Sequence, residues 1–154
     1  MEQNKFKKYF LILISFFVIY SCQFDWVEER RISLNKIEFG SGIRDSFKQK
    51  SLKYFSQHQS DNHHNLTLSN LQFKKKNFYS GPAARAKQIE IIAQLEYSFT
   101  YMASTKSGKL VISGWIPVNE NNPQAEMMAQ RKIVEELESL LLEGLLEEYW
   151  LIES

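Results

Sequence analysis

Residues 88–102 alternate between apolar and polar side chains over an unusually long stretch of the chain. One face of this run would carry Ile89, Ile91, Ala93, Leu95, Tyr97, Phe99 and Tyr101, and the other face is polar except for Ile92. Alternation with a period of two predicts an antiparallel strand that is buried on one face only. At ~3.3 Å per residue the strand would be roughly 45–50 Å long, well beyond the usual ~5–6 residues.

A second strand is predicted directly after the first. Thr105-Lys106-Ser107-Gly108 supplies turn residues, and residues 109–118 alternate again. Trp115 would lie on one face of this strand, and the other face would carry Leu110, Ile112, Ile116 and Val118. The two segments together predict a long β-hairpin.

The segment before the hairpin predicts two strands and one helix. Residues 32–39 predict a strand whose alternation slips near Asn35, and residues 43–58 carry the loose apolar stripe of an amphipathic helix. A polar loop is predicted over residues 57–65. The strand that starts at Leu66 changes face near Ser69-Asn70, which indicates either a β-bulge or a strand covered on both faces. Lys74-Lys75-Lys76 follows, and residues 77–82 then predict a turn.

The chain after the hairpin predicts one long helix. Asn122 is a good N-cap, and Pro123 is favoured at the first helical position. The apolar stripe consists of Val134, Leu137, Leu141 and Leu145, and the predicted solvent side carries Glu135, Glu138, Glu143 and Glu147. The order of elements predicts an α+β fold in which two helices pack on one face of a four-stranded mixed or antiparallel sheet with a long central hairpin.

The N-terminal residues have the pattern of a secretory signal. Lys5, Lys7 and Lys8 precede an apolar run over residues 9–20, and Ser21-Cys22 follows it. The run of ~12 residues suits a signal peptide, whereas a membrane-spanning helix needs ~20. Ile19-Tyr20-Ser21-Cys22 resembles the lipobox of bacterial lipoproteins, in which the Cys receives acyl chains that hold the protein on a membrane.

We therefore predict a lipoprotein signal peptide over residues 1–21, an acylated Cys22 with a tether over residues 22–31, and a folded domain over residues 32–154. Two alternatives stay open. The apolar run could be an uncleaved membrane helix, or it could be an ordinary signal in which Cys22 is incidental.

The composition excludes several classes of protein. With 24% charged and 44% hydrophobic residues, the chain suits a single globular domain. A formal net charge of +1 argues against a dedicated nucleic-acid binder, which needs an excess of basic residues. One Cys excludes an intrachain disulfide and any metal site that needs several Cys.

The sequence has no recognisable catalytic constellation. It contains no P-loop, no Gly-rich dinucleotide turn, no H-E-x-x-H and no G-x-S-x-G. His58, His63 and His64 cluster, but Asp61 is the only carboxylate near them, so a solvated loop is favoured over a metal site. Glu90 and Glu96 are better explained as solvated strand residues than as a catalytic pair. We expect a non-enzymatic protein with no catalytic residues, no metal and no cofactor.

Two groups of side chains are candidates for binding. If the turn after the third strand joins neighbouring strands, five basic residues meet at one end of the sheet and could attract phosphates: Lys74, Lys75, Lys76, Arg85 and Lys87. The alternative is a solvated loop with lysines that protect a sheet edge. Trp115 and the terminal Tyr149-Trp150-Leu151-Ile152 could form a protein interface if they are exposed, and core packing is the alternative.

The order and spacing of these segments resemble the LptE family of outer-membrane lipoproteins in lipopolysaccharide transport. The similarity covers nearly all of the chain after the signal and rests on Cys22 and Phe24, the strand at residues 32–39, the helix at 43–58, Leu66-Thr67-Leu68, the segment 78–86, Leu95-Glu96-Tyr97-Ser98-Phe99, and Asn122-Pro123-Gln124-Ala125 before the final helix. The chain departs from the family at Gln23, where Gly is usual, and between Pro123 and Leu137, which is shorter.

The resemblance implies a function without catalysis. LptE-like proteins plug the β-barrel of LptD and contact lipopolysaccharide, at the periplasmic face of the outer membrane. Carried over by region, the lipopolysaccharide contacts would be Arg85, Lys87, Arg131 and Lys132, with Ser80 at the position where the family's turn residue is expected. The alternative function is a periplasmic lipoprotein that acts as an adaptor or activator of a cell-envelope enzyme.

Overall fold

A computed structural model describes residues 31–58, 64–79, 86–118 and 122–153. The chain divides into a unit Met1–Arg30 and a unit Arg31–Ser154, and the described residues belong to the second. The predicted signal peptide, Cys22 and the tether up to residue 30 lie outside the described residues, as do His63, Ser80 and Arg85. In the part of the chain that is described, neither helix combines the length and the apolar character that crossing a bilayer requires.

Six strands and two helices form the described fold. In chain order they are β1 (Ile32–Leu34), β2 (Lys36–Phe39), α1 (Asp45–Tyr54), β3 (Phe55–Gln57), β4 (His64–Tyr79), β5 (Ala86–Tyr101), β6 (Ser104–Pro117) and α2 (Pro123–Glu153). The main sheet has the order β2-β4-β5-β6, in which β2 is parallel to β4 and the other neighbours are antiparallel. The predicted α+β fold, with its mixed four-stranded sheet and central hairpin, is confirmed.

The predicted first strand is divided at Asn35, where its alternation slips. β1 pairs in parallel with β3, and β2 pairs in parallel with β4. Between them the Asn35 backbone N–H donates to the His64 carbonyl at 2.9 Å, so the chain changes partner at this residue. The predicted helix over residues 43–58 is too long: it ends at Tyr54, because Phe55–Gln57 forms backbone hydrogen bonds with β1 instead.

The strand β4 is longer than the sequence predicts. The predicted bulge is present, since the pairing with β5 shifts between Ser69 and Gln72, and Asn70 adopts φ 54° there. The turn predicted over residues 77–82 starts too early: Asn77, Phe78 and Tyr79 still pair with β5, as do Lys74, Lys75 and Lys76 opposite Ile92, Ile91 and Glu90. Cross-strand pairing therefore extends the strand to Tyr79, through residues whose polarity alone favours a loop.

The hairpin between β5 and β6 turns earlier than the sequence predicts. The turn lies at Met102 and Ala103, between the paired residues Tyr101 and Ser104, and Met102 has φ 50°. Gly108, predicted in the turn, instead lies within β6 opposite Tyr97. A Cβ at this position would collide with the hydroxyl and ring of Tyr97, so the missing side chain makes room for an aromatic ring.

The core lies between one face of the main sheet and the helix α2. We call the face of the sheet that packs against α2 the helix face. It carries the odd-numbered residues of β5 from Ile89 to Phe99, and all of them are nearly fully buried. The opposite, polar face carries the even-numbered residues from Gln88 to Ser98. On α2 the buried residues are Leu137, Leu141, Leu142, Leu145 and Tyr149. As predicted, Asn122 caps α2, since its side-chain oxygen accepts from the Ala125 N–H at 3.0 Å.

Candidate functional site

A groove of about 630 Å³ lies between α1 and α2 and brings together side chains that are distant in the sequence. We call it the helix groove. Arg44, Ser46 and Lys50 line it from the first helix and the residue before it, and the second helix contributes Met127, Gln130, Arg131, Val134, Glu135 and Glu138. Three cationic side chains therefore converge on one concave surface that also has apolar walls.

Glu138 is the buried centre of the helix groove. Its side chain is only 6% exposed, and its two carboxylate oxygens accept from Arg44 at 2.7 Å and from Lys50 at 3.3 Å. Lys50 also donates to the carbonyl of Glu135 at 2.8 Å. The predicted position of Glu138 on the solvent side of the helix is therefore wrong, because α1 packs over this part of α2 and supplies two cations to a carboxylate that would be costly to bury alone.

Arg44 is held in place from a second direction. Its guanidinium carbon lies 4.7 Å from the centroid of the Phe73 ring in β4, a cation–π arrangement. The bond to Glu138 uses one of the five N–H donors of a guanidinium. Arg44 therefore has a fixed plane and further donors with which to approach an anion.

The structure separates Arg131 from Lys132, which the resemblance treats as one region. Arg131 lines the helix groove, whereas Lys132 is 79% exposed and forms an ion pair with Glu136 at 3.8 Å, one turn further along α2. Adjacent residues on a helix point about 100° apart, so only one of the two can face α1. The groove gives Arg131 two cationic neighbours, Arg44 and Lys50, that the sequence did not indicate.

The three lysines of β4 lie on different faces of the sheet. Lys75 is on the helix face, where its ammonium group lies 3.9 Å from the carboxylate of Glu126 in α2. Lys74 and Lys76 are exposed on the polar face. The expectation of one cluster of five charges is therefore wrong for Lys75, because successive residues of a strand alternate in direction.

Aromatic side chains accompany the two lysines of the polar face. The rings of Phe78 and Trp115 lie 4.6 Å apart, and the ammonium group of Lys76 lies 5.0 Å above the Phe78 ring. Lys87 is exposed at the same end of the sheet, next to the pair Gln88 and Phe78. We call this end of the sheet the basic–aromatic end; its residues are Lys74, Lys76, Phe78 and Trp115 on the polar face, together with Lys87 at the pairing irregularity next to Phe78. Of the two alternatives left open for Trp115, the structure shows exposure, at 48%, and not core packing.

The terminal aromatic segment divides between the core and the surface. Tyr149 is buried against Phe99 at a ring separation of 5.7 Å, while Trp150 and Leu151 are exposed. Tyr149 is therefore part of the core. Trp150 and Leu151 are the exposed residues of this segment that remain candidates for an interface.

The histidine loop of the sequence analysis is not formed as predicted. His64 begins β4 and is buried, with its ring stacked 4.3 Å from that of Tyr101. His58 is exposed, and its Nδ1 lies 2.6 Å from the Gln57 carbonyl oxygen. Over the described residues, no three His, Cys, Asp or Glu side chains form a group that could hold a metal ion. 

Glu90 and Glu96 do not form a carboxylate pair. They are six residues apart on one strand, roughly 20 Å at the rise of a β-strand. Glu90 lies opposite Lys76 and Trp115, and Glu96 binds the Asn70 side chain at 2.5 Å. Each carboxylate thus has its own neighbours on the polar face.

A buried tyrosine connects the hairpin to α2. The Tyr97 hydroxyl donates to the carboxylate of Glu148, which also pairs with Lys106 at 3.3 Å. Burial, reinforced by the hydrogen bond to Glu148 and its negative charge, raises the pKa of Tyr97 to about 12. The same hydrogen bond lowers the pKa of Glu148, and Lys106 adds to that effect. This triad fixes α2 on the sheet through polar contacts.

Comparisons with known proteins give a likeness of fold and no match of sequence family. No protein-family model and no curated protein matches the chain. The structure is similar to that of rare lipoprotein B from Shewanella oneidensis, with a TM-score of 0.65 and 12% identity over 79% of this chain and 96% of that one. It is also similar to the lipoprotein B structure from Nitrosomonas europaea, with a TM-score of 0.59 and 6% identity over 75% and 79% of the two chains.

Proposed function

We propose that this chain is a lipid-anchored lipoprotein of the bacterial outer membrane that works without catalysis. In this proposal Cys22 carries the acyl chains, and the described domain is an LptE-like plug in the barrel of an LptD-like partner at the periplasmic face. Its task is to assist the assembly of lipopolysaccharide at the outer membrane.

The fold is the observation that carries the proposal. Two structures whose names identify them as lipoproteins share it, and the match covers nearly the whole of one of them. The lipobox-like Ile19-Tyr20-Ser21-Cys22 supports the same anchor independently. The two helices and three long strands follow one another in the order that the sequence predicts, with a divided first strand and the added strand β3.

The basic–aromatic end supports the contact with lipopolysaccharide. Lys74, Lys76 and Lys87 are exposed at one end of a sheet roughly 50 Å long, where they can meet the phosphates of lipid A. Arg131 lies in the helix groove and Lys132 on the exposed side of α2, so the residues carried over from the family belong to separate surfaces. 

The partner is tested by isolating the acylated protein from envelope extracts and identifying what accompanies it by mass spectrometry. We expect an outer-membrane β-barrel of the LptD type. Recovery of a peptidoglycan synthase in its place would contradict the proposal and favour the adaptor function. Cys22→Ser is the control for the anchor: it should lose the incorporation of labelled palmitate and, in cells that lack the proposed barrel partner, the outer-membrane fraction.

The ligand contact is tested by reversing one charge at the basic–aromatic end. Lys87→Glu should weaken lipopolysaccharide binding severalfold in a salt-matched pull-down, because a phosphate contact is replaced by repulsion. Lys53→Glu, a reversal at an exposed lysine of α1, is the matched control. Equal binding by the two variants would remove Lys87 from the contact.

A further inference from the structure

We propose that the helix groove is a binding site for a phosphate group, free or as a phosphomonoester, held by Arg44, Lys50 and Arg131. The inference concerns a site formed by both helices, and it shares only Arg131 with the lipopolysaccharide contact of the proposed function. It does not require a barrel partner.

The cations of the groove are positioned before any ligand arrives. Glu138 holds Arg44 and Lys50 at 2.7 and 3.3 Å, and the Phe73 ring fixes the plane of Arg44. Side chains that are already ordered lose less conformational entropy when they bind a ligand. Glu138 is therefore a positioning residue, and its own charge is already neutralised by the two cations that it holds.

The chemistry of the groove fits a phosphate better than a neutral group. Two guanidinium groups can each offer a pair of parallel N–H donors to phosphate oxygens, and Lys50 adds a point charge. The carboxylate of Glu135 also lines the groove and opposes an anion. Counting Glu135 and Glu138 against Arg44, Lys50 and Arg131, the lining residues carry one net positive charge.

The apolar side chains of the groove give it room for a ligand that carries an apolar part as well as an anionic group. Met127, which is 56% exposed, and Val134 line the same groove. A methionine side chain adapts to ligands of irregular shape. The phosphate group could thus be free phosphate or a phosphomonoester headgroup of an amphiphile, and the binding experiment distinguishes the two sources.

The test is a calorimetric titration of the full acylated protein in a neutral detergent. The probes are inorganic phosphate, dihexanoyl phosphatidic acid and dihexanoyl phosphatidylcholine, the last as a control with the same acyl chains and no phosphomonoester. We expect binding of phosphatidic acid, of phosphate, or of both, and no comparable binding of phosphatidylcholine. Binding of phosphatidic acid alone would identify a lipid headgroup, whereas equal binding of phosphate would identify the free anion.

Adjacent residues provide a matched pair of variants. Arg131→Gln should weaken binding about tenfold, the effect of one charge-assisted hydrogen bond. Lys132→Gln removes the same charge one residue away, outside the groove, and should stay within about twofold. Glu135→Gln should tighten binding severalfold, because it removes a repelling carboxylate, and a purely structural role would not produce that gain.

Three results would overturn the inference. They are the absence of binding by both inorganic phosphate and phosphatidic acid, equal losses in Arg131→Gln and Lys132→Gln, and equal binding of phosphatidylcholine. Because Arg131 and Lys132 are both exposed, unfolding midpoints should confirm that the variants fold. If the groove does not bind these probes but a barrel partner is still recovered from envelope extracts, this inference is rejected and the proposed function is not.

Discussion

Glu138 shows how a single side chain can join two helices. It is buried on α2, yet both of its partners come from the α1 region, where the Arg44 side chain is 51% exposed and that of Lys50 is 26% exposed. Removal of a buried ion-pair partner is usually costly, but cations that can reach water reduce the penalty. We expect Glu138→Ala to lower the free energy of unfolding by about 2 kcal/mol, measured by urea denaturation.

Glu135→Ala is the control for that measurement. Glu135 is exposed on the same helix, and only its backbone carbonyl accepts from Lys50, so the substitution leaves that bond intact. Its effect should stay within about 0.5 kcal/mol. Because alanine favours a helix at both positions, a similar loss in both variants would show that the buried ion pair does not decide the result.

Tyr97 makes the free energy of unfolding depend on pH in the alkaline range. Its pKa is about 12 in the folded protein, whereas a tyrosine in water has an ordinary pKa of 10.0. The folded state therefore keeps a proton that the unfolded state releases, so this contribution is complete below pH 10 and is lost as the pH rises towards 12. Between pH 9 and pH 11 the urea midpoint should fall more steeply for the parent than for Tyr97→Phe.

The comparison with Tyr97→Phe isolates this group from the lysines that also titrate in the same range. The other titratable groups are the same in both proteins, so the difference between their slopes reports the tyrosine. Parallel midpoints from pH 9 to pH 11 would mean that the Tyr97 hydroxyl titrates alike in the folded and unfolded states.

At the scale of secondary-structure elements, replacing a glycine by alanine should have opposite effects on stability at Gly108 in the hairpin and at Gly144 in α2. A Cβ on Gly108 would overlap the Tyr97 ring, whereas a Cβ on Gly144 would meet the Leu110 side chain at 3.4–3.6 Å, an ordinary contact. Gly108→Ala should destabilise the protein by about 2 kcal/mol through overpacking. Gly144→Ala should stabilise it by up to ~1 kcal/mol, because alanine favours a helix. Thermal unfolding of both variants tests the pair, and shifts of the same sign would contradict it.

The long hairpin was predictable from sequence because its signal is local. Alternation over residues 88–102 and 109–118 determines which side chains face the core, and β5 and β6 follow it. The turn was misplaced because glycine is favoured both in turns and beneath an aromatic ring. Only the position of Tyr97 across the hairpin shows that Gly108 serves the second purpose.

The candidate sites were less predictable, because they depend on contacts between distant elements. The lysines of β4 were recognised as a cluster, but their division between two faces follows from a register with β5 that polarity does not reveal. Arg44 and Lys50 were missed as groove residues. Their partner Glu138 is 94 and 88 residues away along the chain, and no local pattern distinguishes it from the solvent-exposed glutamates of α2.

At the scale of the whole molecule, the domain should fold without the residues that precede it. The sheet, both helices and the core that joins them lie within the unit Arg31–Ser154. A chain that begins at Arg31 should therefore unfold in one cooperative transition, with a midpoint within a few degrees of that of the full protein. It should also lose the membrane association that the proposed function assigns to Cys22.

The two readouts separate folding from anchoring. Circular dichroism during thermal unfolding reports the domain, and fractionation of cells reports the anchor. A truncated chain that is unfolded would show that residues 1–30 contribute to the fold itself. A truncated chain that folds and still sediments with the outer membrane, in cells that lack the barrel partner, would show that attachment comes from the domain surface. The exposed Trp115 and Trp150 would then be the first residues to substitute, because indole rings favour the membrane interface.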